Sequence, residues 1–169
     1  MTHVVVVGAG QAGSSLVVKL RNLGFDGDIT LIGSENAPPY QRPPLSKKYL
    51  LGEMDLERLY LKPEAFYAEN GIALRKGETV TEISKDQIKV GDEALAFDHL
   101  VLTTGSTPRH LPAAIGGTLN GVYVVRSLAD VDAMAPEFGA GKHVLIIGGG
   151  YIGLEAAAVA ASKGLKVTS

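Results

Sequence analysis

The sequence predicts an α/β fold, with a parallel sheet flanked by helices and an antiparallel meander. Three observations predict it. A β-branched run, a glycine turn and an amphipathic helix open the chain; the same strand–glycine–helix order returns about 140 residues later; and short alternating segments in between are spaced as hairpins.

Val4 to Val7 is apolar on both faces and too short for a helix, which suits a central parallel strand. Gly8-Ala9-Gly10-Gln11-Ala12-Gly13 follows. From Gln11 to Leu23 the residues Leu16, Val17, Leu20 and Leu23 recur at helical spacing, and Gly24 stands where a helix ends. Ile29 to Ile32 predicts a second strand, closing at Gly33-Ser34-Glu35, so the opening is a βαβ unit. Four of the eight prolines fall in Ala37–Pro44, which excludes regular structure there. Pro63 to Asn70, closed by Gly71, predicts a short helix. Thr79–Ile83, Gln87–Val90 and Ala94–Phe97 predict the meander, and His99–Thr103 a further strand. Gly105 to Gly121 is the candidate domain connection. Val122–Val125 is expected to be extended, and Ser127-Leu128-Ala129-Asp130 has the form of a capping box for a helix to about Met134. His143–Ile147 then predicts a strand, Gly148 to Gly153 a glycine turn, Leu154–Lys163 a helix and Leu165–Ser169 the start of a strand.

Composition narrows the function classes. At 169 residues the chain is expected to hold one domain or the start of a second. Hydrophobic residues at 46% against 20% charged exclude an intrinsically disordered chain. Sixteen basic and eighteen acidic residues give a net charge of −2, so no global positive field favours nucleic acid or anionic lipid. Cysteine is absent, which removes disulfides, thiolate metal sites and thiol redox chemistry from these residues. The N-terminus has neither a basic region nor a cleavage pattern, and no apolar run is long enough to span a bilayer; a cytoplasmic, soluble protein is expected.

The glycine turns carry the chemistry. Gly8, Gly10 and Gly13 follow a strand and open a helix, and Glu35 stands 22 positions after Gly13, which is the Rossmann dinucleotide pattern. The first glycine permits the tight turn, the second lets backbone approach a pyrophosphate, and the third lets helix and strand pack closely. The helix start offers N–H groups to phosphate, and the acid can accept from a ribose diol. A packing unit without ligand would share the turn. Gly148, Gly150 and Gly153 repeat the pattern, but the matching acid would fall past Ser169, so NADH and NADPH are not distinguished.

Five motifs in register resemble the FAD-dependent ferredoxin reductases of oxygenase systems, within the pyridine nucleotide-disulfide oxidoreductase superfamily. These are the first glycine turn, Glu35, Tyr40-Gln41-Arg42-Pro43-Pro44-Leu45-Ser46-Lys47, Thr103-Thr104-Gly105-Ser106-Thr107-Pro108-Arg109, and GGGYIGLE from Gly148 to Glu155. Monodehydroascorbate reductase and apoptosis-inducing factor share much of the pattern. The resemblance implies FAD held by Gly8, Gly10, Ala12, Gly13 and Glu35, with Arg42, Lys47, Val80, Thr104, Gly105 and Arg126 as further contacts. It implies NAD(P)H at Gly148, Gly150, Ile152, Gly153 and Glu155, and a catalytic pair of Lys47 with Glu155 close to the flavin. It also implies electron transfer from NAD(P)H through FAD to a [2Fe–2S] ferredoxin, with no acid–base triad. Thiol-dependent relatives are excluded by the missing cysteines.

The same residues admit plainer readings. Arg42, Lys47, Lys48 and Arg126 can be solvated cations, and Glu155 an exposed acid near a helix start. Lys19, Arg21, Arg58, Arg75 and Lys76 can meet an acidic ferredoxin or simply scatter over the surface. The resemblance further implies a first, FAD-binding domain over about 1–110 and the opening of an incomplete NAD(P)-binding domain over 111–169, hence a piece of a longer reductase. Alone it is expected not to turn over NADH, and the competing reading is a non-enzymatic nucleotide-binding fragment.

Overall fold

The computed structural model describes residues 1–169. In chain order the elements are β1 (His3–Val7), α1 (Gln11–Asn22), β2 (Asp28–Gly33), α2 (Lys48–Leu51), α3 (Leu56–Leu59), α4 (Glu64–Glu69), β3 (Ile72–Lys76), β4 (Val80–Ile83), β5 (Gln87–Val90), β6 (Glu93–Ala96) and β7 (His99–Leu102). They continue with α5 (Leu128–Met134), β8 (His143–Leu145), α6 (Tyr151–Ser162) and β9 (Lys166–Thr168). A 3-10 turn at Pro43–Ser46 is the one regular piece within the proline-rich loop and its end. The chain divides into two compact units, residues 1–41 with 60–106 and residues 42–59 with 107–169. Residues 42–59 thus pack with the second unit.

The first unit is built on a four-stranded parallel sheet in the order β3-β2-β1-β7. Alternate residues of a strand face opposite sides. Val4 and Val6 accordingly join Val17 of α1, Ile29, Leu31, Tyr67 of α4 and Ile72 in one core cluster, while Val5 joins Ile32, Ile88 and Val90 in the other. The antiparallel meander β4-β5-β6 supplies Ile88 and Val90 and so covers the second face. With both faces covered, β1 needs no polar alternation, which is why it reads as four consecutive valines.

Polar groups secure this packing. The buried Ser14 and Tyr67 hydroxyls are 2.9 Å apart and tie α1 to α4; burial pushes the Tyr67 phenol above its ordinary pKa, partly offset by the Ser14 bond. Arg21 is held within the fold. Its guanidinium donates to the carbonyls of Phe25, Gly27, Asn70 and Gly71 at 2.6–2.8 Å and lies over the Phe25 ring. Arg75 donates to Glu78 and Glu93, and Lys76 pairs with Glu64, so these cations too are held by neighbours.

In the second unit β8 and β9 pair in parallel and α6 crosses between them. The capping box forms as the spacing predicts: the Ser127 hydroxyl accepts from the Asp130 N–H, and Asp130 accepts from the Ser127 N–H at 2.7 Å. One expected helix start shifts and one further strand forms. Helix α6 starts at Tyr151 and not at Leu154, because Gly150 is its N-cap and Gly153 belongs to its first turn. Val122–Val125 pairs with no strand. Strand β3 was not anticipated; Arg75 and Lys76 broke its apolar run, yet it is the edge of the sheet, where charged side chains are accommodated. No helix is long and apolar enough to cross a membrane.

The four carbonyl contacts of Arg21 make its replacement costly. Arg21→Ala is expected to lower unfolding free energy by about 2–3 kcal/mol, the scale of lost hydrogen bonds to a charged group, and Arg21→Lys should restore little, because an ammonium lacks the planar fork. Urea denaturation of the full chain checks this; an unchanged midpoint for Arg21→Ala would show the bonds to be idle.

Candidate functional site

At the carboxyl end of β1 the chain turns at Gly8, whose φ of 114° is open to glycine and strained for other residues. A Cβ at Gly8 would stand 2.1 Å from the Thr103 carbonyl oxygen, and one at Gly13 would stand 2.1 Å from the Gly8 carbonyl oxygen. These close approaches seat α1 on the end of β1. By contrast, a Cβ at Gly10 would meet nothing within 4 Å, and Gly10 caps α1 without any side-chain hydrogen bond. The space before the helix start is thus bounded by backbone N–H groups, the donor set a pyrophosphate requires.

Other predicted residues of the first unit gather at the same end of the sheet. The Gly8 N–H donates to Ile32 O and the Thr103 N–H to Val7 O, both at 2.8 Å. Gly33 approaches Ala9 so closely that a Cβ there would be 2.5 Å from the Ala9 Cβ. Glu35 lies just beyond β2, half-buried, and accepts a hydrogen bond from the Tyr40 hydroxyl. Thr104 and Gly105 follow β7 and are exposed, Ala12 is exposed in the first turn of α1, and Val80 opens β4 at a register shift against β5. Strands β2 and β7 flank β1 on opposite sides, so the turn sits where the strand order reverses, the place at which open α/β sheets bind ligands.

The second turn repeats the first. Gly148 has φ 119°, a Cβ at Gly153 would stand 2.2 Å from the Gly148 carbonyl oxygen, and Gly150 caps α6 with no side-chain bond. Within the same unit Arg42, Lys47, Arg126, Ile152 and Glu155 line one cavity of about 260 Å³. Lys47 Nζ is 2.9 Å from Glu155 Oε1, and the Ser46 hydroxyl donates to Glu155 Oε2 at 2.5 Å. These partners, Ser46 first and then Lys47, hold the Glu155 carboxyl below its ordinary pKa of 4.5. Arg42 donates to the Arg126 carbonyl at 2.6 Å, and Asp130 accepts from the Arg126 N–H at 3.2 Å, which pins the Arg126 peptide from both sides.

Three supporting residues stood in the quoted motifs without being singled out. Tyr40 bonds Glu35, Ser46 bonds Glu155, and the Thr103 hydroxyl donates to Gly8 O at 2.8 Å. Each is polar, uncharged and adjacent to a motif position, the only sign of its role that a single sequence offers.

With two equivalent turns in place, comparison with known proteins is informative. The pyridine nucleotide-disulphide oxidoreductase pattern matches residues 2–169. The chain belongs to this family. Within it, the chain is 42% identical to rhodocoxin reductase of Rhodococcus erythropolis, covering 98% of this chain and 39% of the relative. It is 42% identical to putidaredoxin reductase CamA of Pseudomonas putida, covering 98% and 40%. Its backbone is similar to that in the covalent putidaredoxin reductase–putidaredoxin complex, with TM-score 0.93 at 41% identity over 98% of this chain and 41% of that one. A ferredoxin reductase for the CYP199A2 system from Rhodopseudomonas palustris gives 0.91 at 38%, covering 99% and 42%. The chain spans about two fifths of the length of these family members.

Because the folded Glu155 pKa is depressed, its contacts add stability that is present above the unfolded value and lost as pH falls through the folded value. Glu155→Gln is therefore expected to be less stable than wild type at pH 7 and to converge with it in acid well below pH 4.5. The gap is modest, since Lys47 is half exposed. Paired urea titrations at both pH values check this; a gap that persists unchanged in acid would contradict it.

Proposed function

We propose that this chain provides the dinucleotide-holding parts of an NAD(P)H-dependent flavoprotein reductase that passes electrons to a [2Fe–2S] ferredoxin. The observation that carries the reading is the pair of glycine turns with matching backbone: φ 114° and 119°, and third-glycine approaches of 2.1 and 2.2 Å. One dinucleotide turn suits many enzymes; two in one chain suit nucleotides that exchange electrons. The relatives at 42% identity are named as reductases of rhodocoxin and putidaredoxin, which supports the same acceptor class. The lack of cysteine in these residues argues against a thiol relay.

FAD would supply the redox chemistry, taking a hydride from the nicotinamide and releasing electrons to an acceptor. The chain's own residues bind and orient. In the first unit Gly8, Gly10, Ala12 and Gly13 hold pyrophosphate on the N–H groups of α1, Glu35 accepts from the ribose diol with Tyr40 as its support, and Val80, Thr104 and Gly105 are further backbone contacts. In the second unit the cavity lined by Arg42, Lys47 and Arg126 suits a flavin ring. Gly148, Gly150, Ile152 and Gly153 hold the pyrophosphate of NAD(P)H, and Lys47 with Glu155 forms the charged pair at its nicotinamide end. The domains follow as an FAD-binding part over about 1–110 and the beginning of an NAD(P)-binding part over 111–169.

Titration of the chain with FAD, read by quenching of flavin fluorescence, tests the assignment. Glu35→Ala is expected to weaken FAD binding about ten- to a hundredfold, the equivalent of losing roughly 1.5–3 kcal/mol of charged hydrogen bonding. Equal affinities in mutant and wild type would remove Glu35 from the site.

A further inference from the structure

Ser46 belongs to neither glycine turn and carries no charge, yet it is only 4% exposed and its hydroxyl meets Glu155 Oε2 across 109 positions of sequence. We propose that Ser46 is the positioning residue of the Lys47–Glu155 pair: its hydroxyl, carried on a rigid turn, binds Oε2 and thereby presents Oε1 to Lys47. The inference rests on the reading of Lys47 and Glu155 as the charged pair at the nicotinamide end.

Mobility separates the two donors. The terminal torsion of a glutamate side chain is broad, so a carboxylate with one partner still turns about its last bond. Two donors on separate oxygens fix that torsion. Of the two, Lys47 is a weak anchor, because its long stem is flexible and its side chain is 48% exposed. Ser46 is the opposite case. Its hydroxyl sits one bond from Cβ on a 3-10 turn opened by Pro43 and Pro44, whose φ angles are locked by their rings. The turn is closed by Leu45 N–H to Arg42 O and Lys47 N–H to Pro44 O, both at 3.0 Å, and anchored by the buried Leu45. Its N-cap residue Arg42 is tied in turn to the Arg126 carbonyl. At 2.5 Å the Ser46 bond falls in the range for a hydroxyl donating to a carboxylate.

Other charges near Glu155 do not replace this donor. Lys47 follows the turn, and Arg42 and Arg126 line the same cavity. Lys47 reaches Oε1 and Arg42 donates to the Arg126 carbonyl, whereas Ser46 fixes the second oxygen by a directed bond. Glu155 itself rises from α6, whose first turn is secured by Leu154 N–H to Gly150 O. The serine therefore links the proline turn to the nicotinamide-side helix through a single carboxylate.

The test is the titration of Glu155 in the full chain, followed by carbon-13 shifts of labelled glutamate carboxyls and assigned by comparison with Glu155→Gln. In Ser46→Ala the Glu155 midpoint is expected to move upward, since its rigid donor is gone. Ser46→Cys keeps nearly the same volume with only a weak donor, so it should move the midpoint in the same direction and serves where the alanine variant fails to fold. An unmoved midpoint in either folded variant overturns the proposal and leaves Ser46 as mere packing. The titration uses no nucleotide. Its failure removes the positioning role alone, while absence of FAD binding by wild type removes the functional reading alone.

Discussion

The contact on which both turns depend is the approach of a helix backbone to the carbonyl of the turn's first glycine. Gly13 lies against Gly8 O and Gly153 against Gly148 O, each so near that a methyl group would stand about 2 Å from the oxygen. Close packing of this kind fixes where the helix begins. Because the first helical N–H groups have no partners within the helix, fixing the start also fixes where a phosphate can be bound. The glycines thus act through their missing side chains, and what the turns leave open are peptide N–H donors that any residue carries.

Around these turns the recurring device is a neutral hydroxyl that immobilises a neighbouring functional group. Thr103 bonds the Gly8 carbonyl, Tyr40 bonds Glu35, and Ser46 bonds Glu155. Lys47 and Glu155 meet one another, while hydroxyls hold Glu35 and Glu155 from the protein side. A charged support would alter the local field; a hydroxyl adjusts orientation without adding net charge. Loss of such a support is expected to be felt as misorientation, to which sites of this kind are sensitive.

Much of this was legible because the chain is locally consistent. The valine run, the glycine turn and the leucines of α1 all point to one βαβ unit, and Ser127 with Asp130 forms the capping box their spacing indicates. The resemblance of the quoted motifs brought Lys47 and Glu155 together in expectation, and the structure shows them in contact. What was not legible depends on tertiary context. Strand β3 pairs at a sheet edge despite its charged end, α6 absorbs Gly153 into its first turn, and Arg21 spends its charge on four backbone carbonyls. A lone arginine on a helix looks like a surface cation until the carbonyls that surround it are known. Likewise, the adherence of residues 42–59 to the second unit has no local signature, since proline content reveals a loop but not its neighbours.

On the proposed function, the two glycine turns receive two different nucleotides. Amide nitrogen–proton shift mapping of the chain tests it most directly. Added FAD should shift the amides of residues 10–13 and added NADH those of residues 150–153, each set responding when the other nucleotide is already present. A FAD response that bypasses residues 10–13, or competition of both nucleotides for a single turn, would contradict the account.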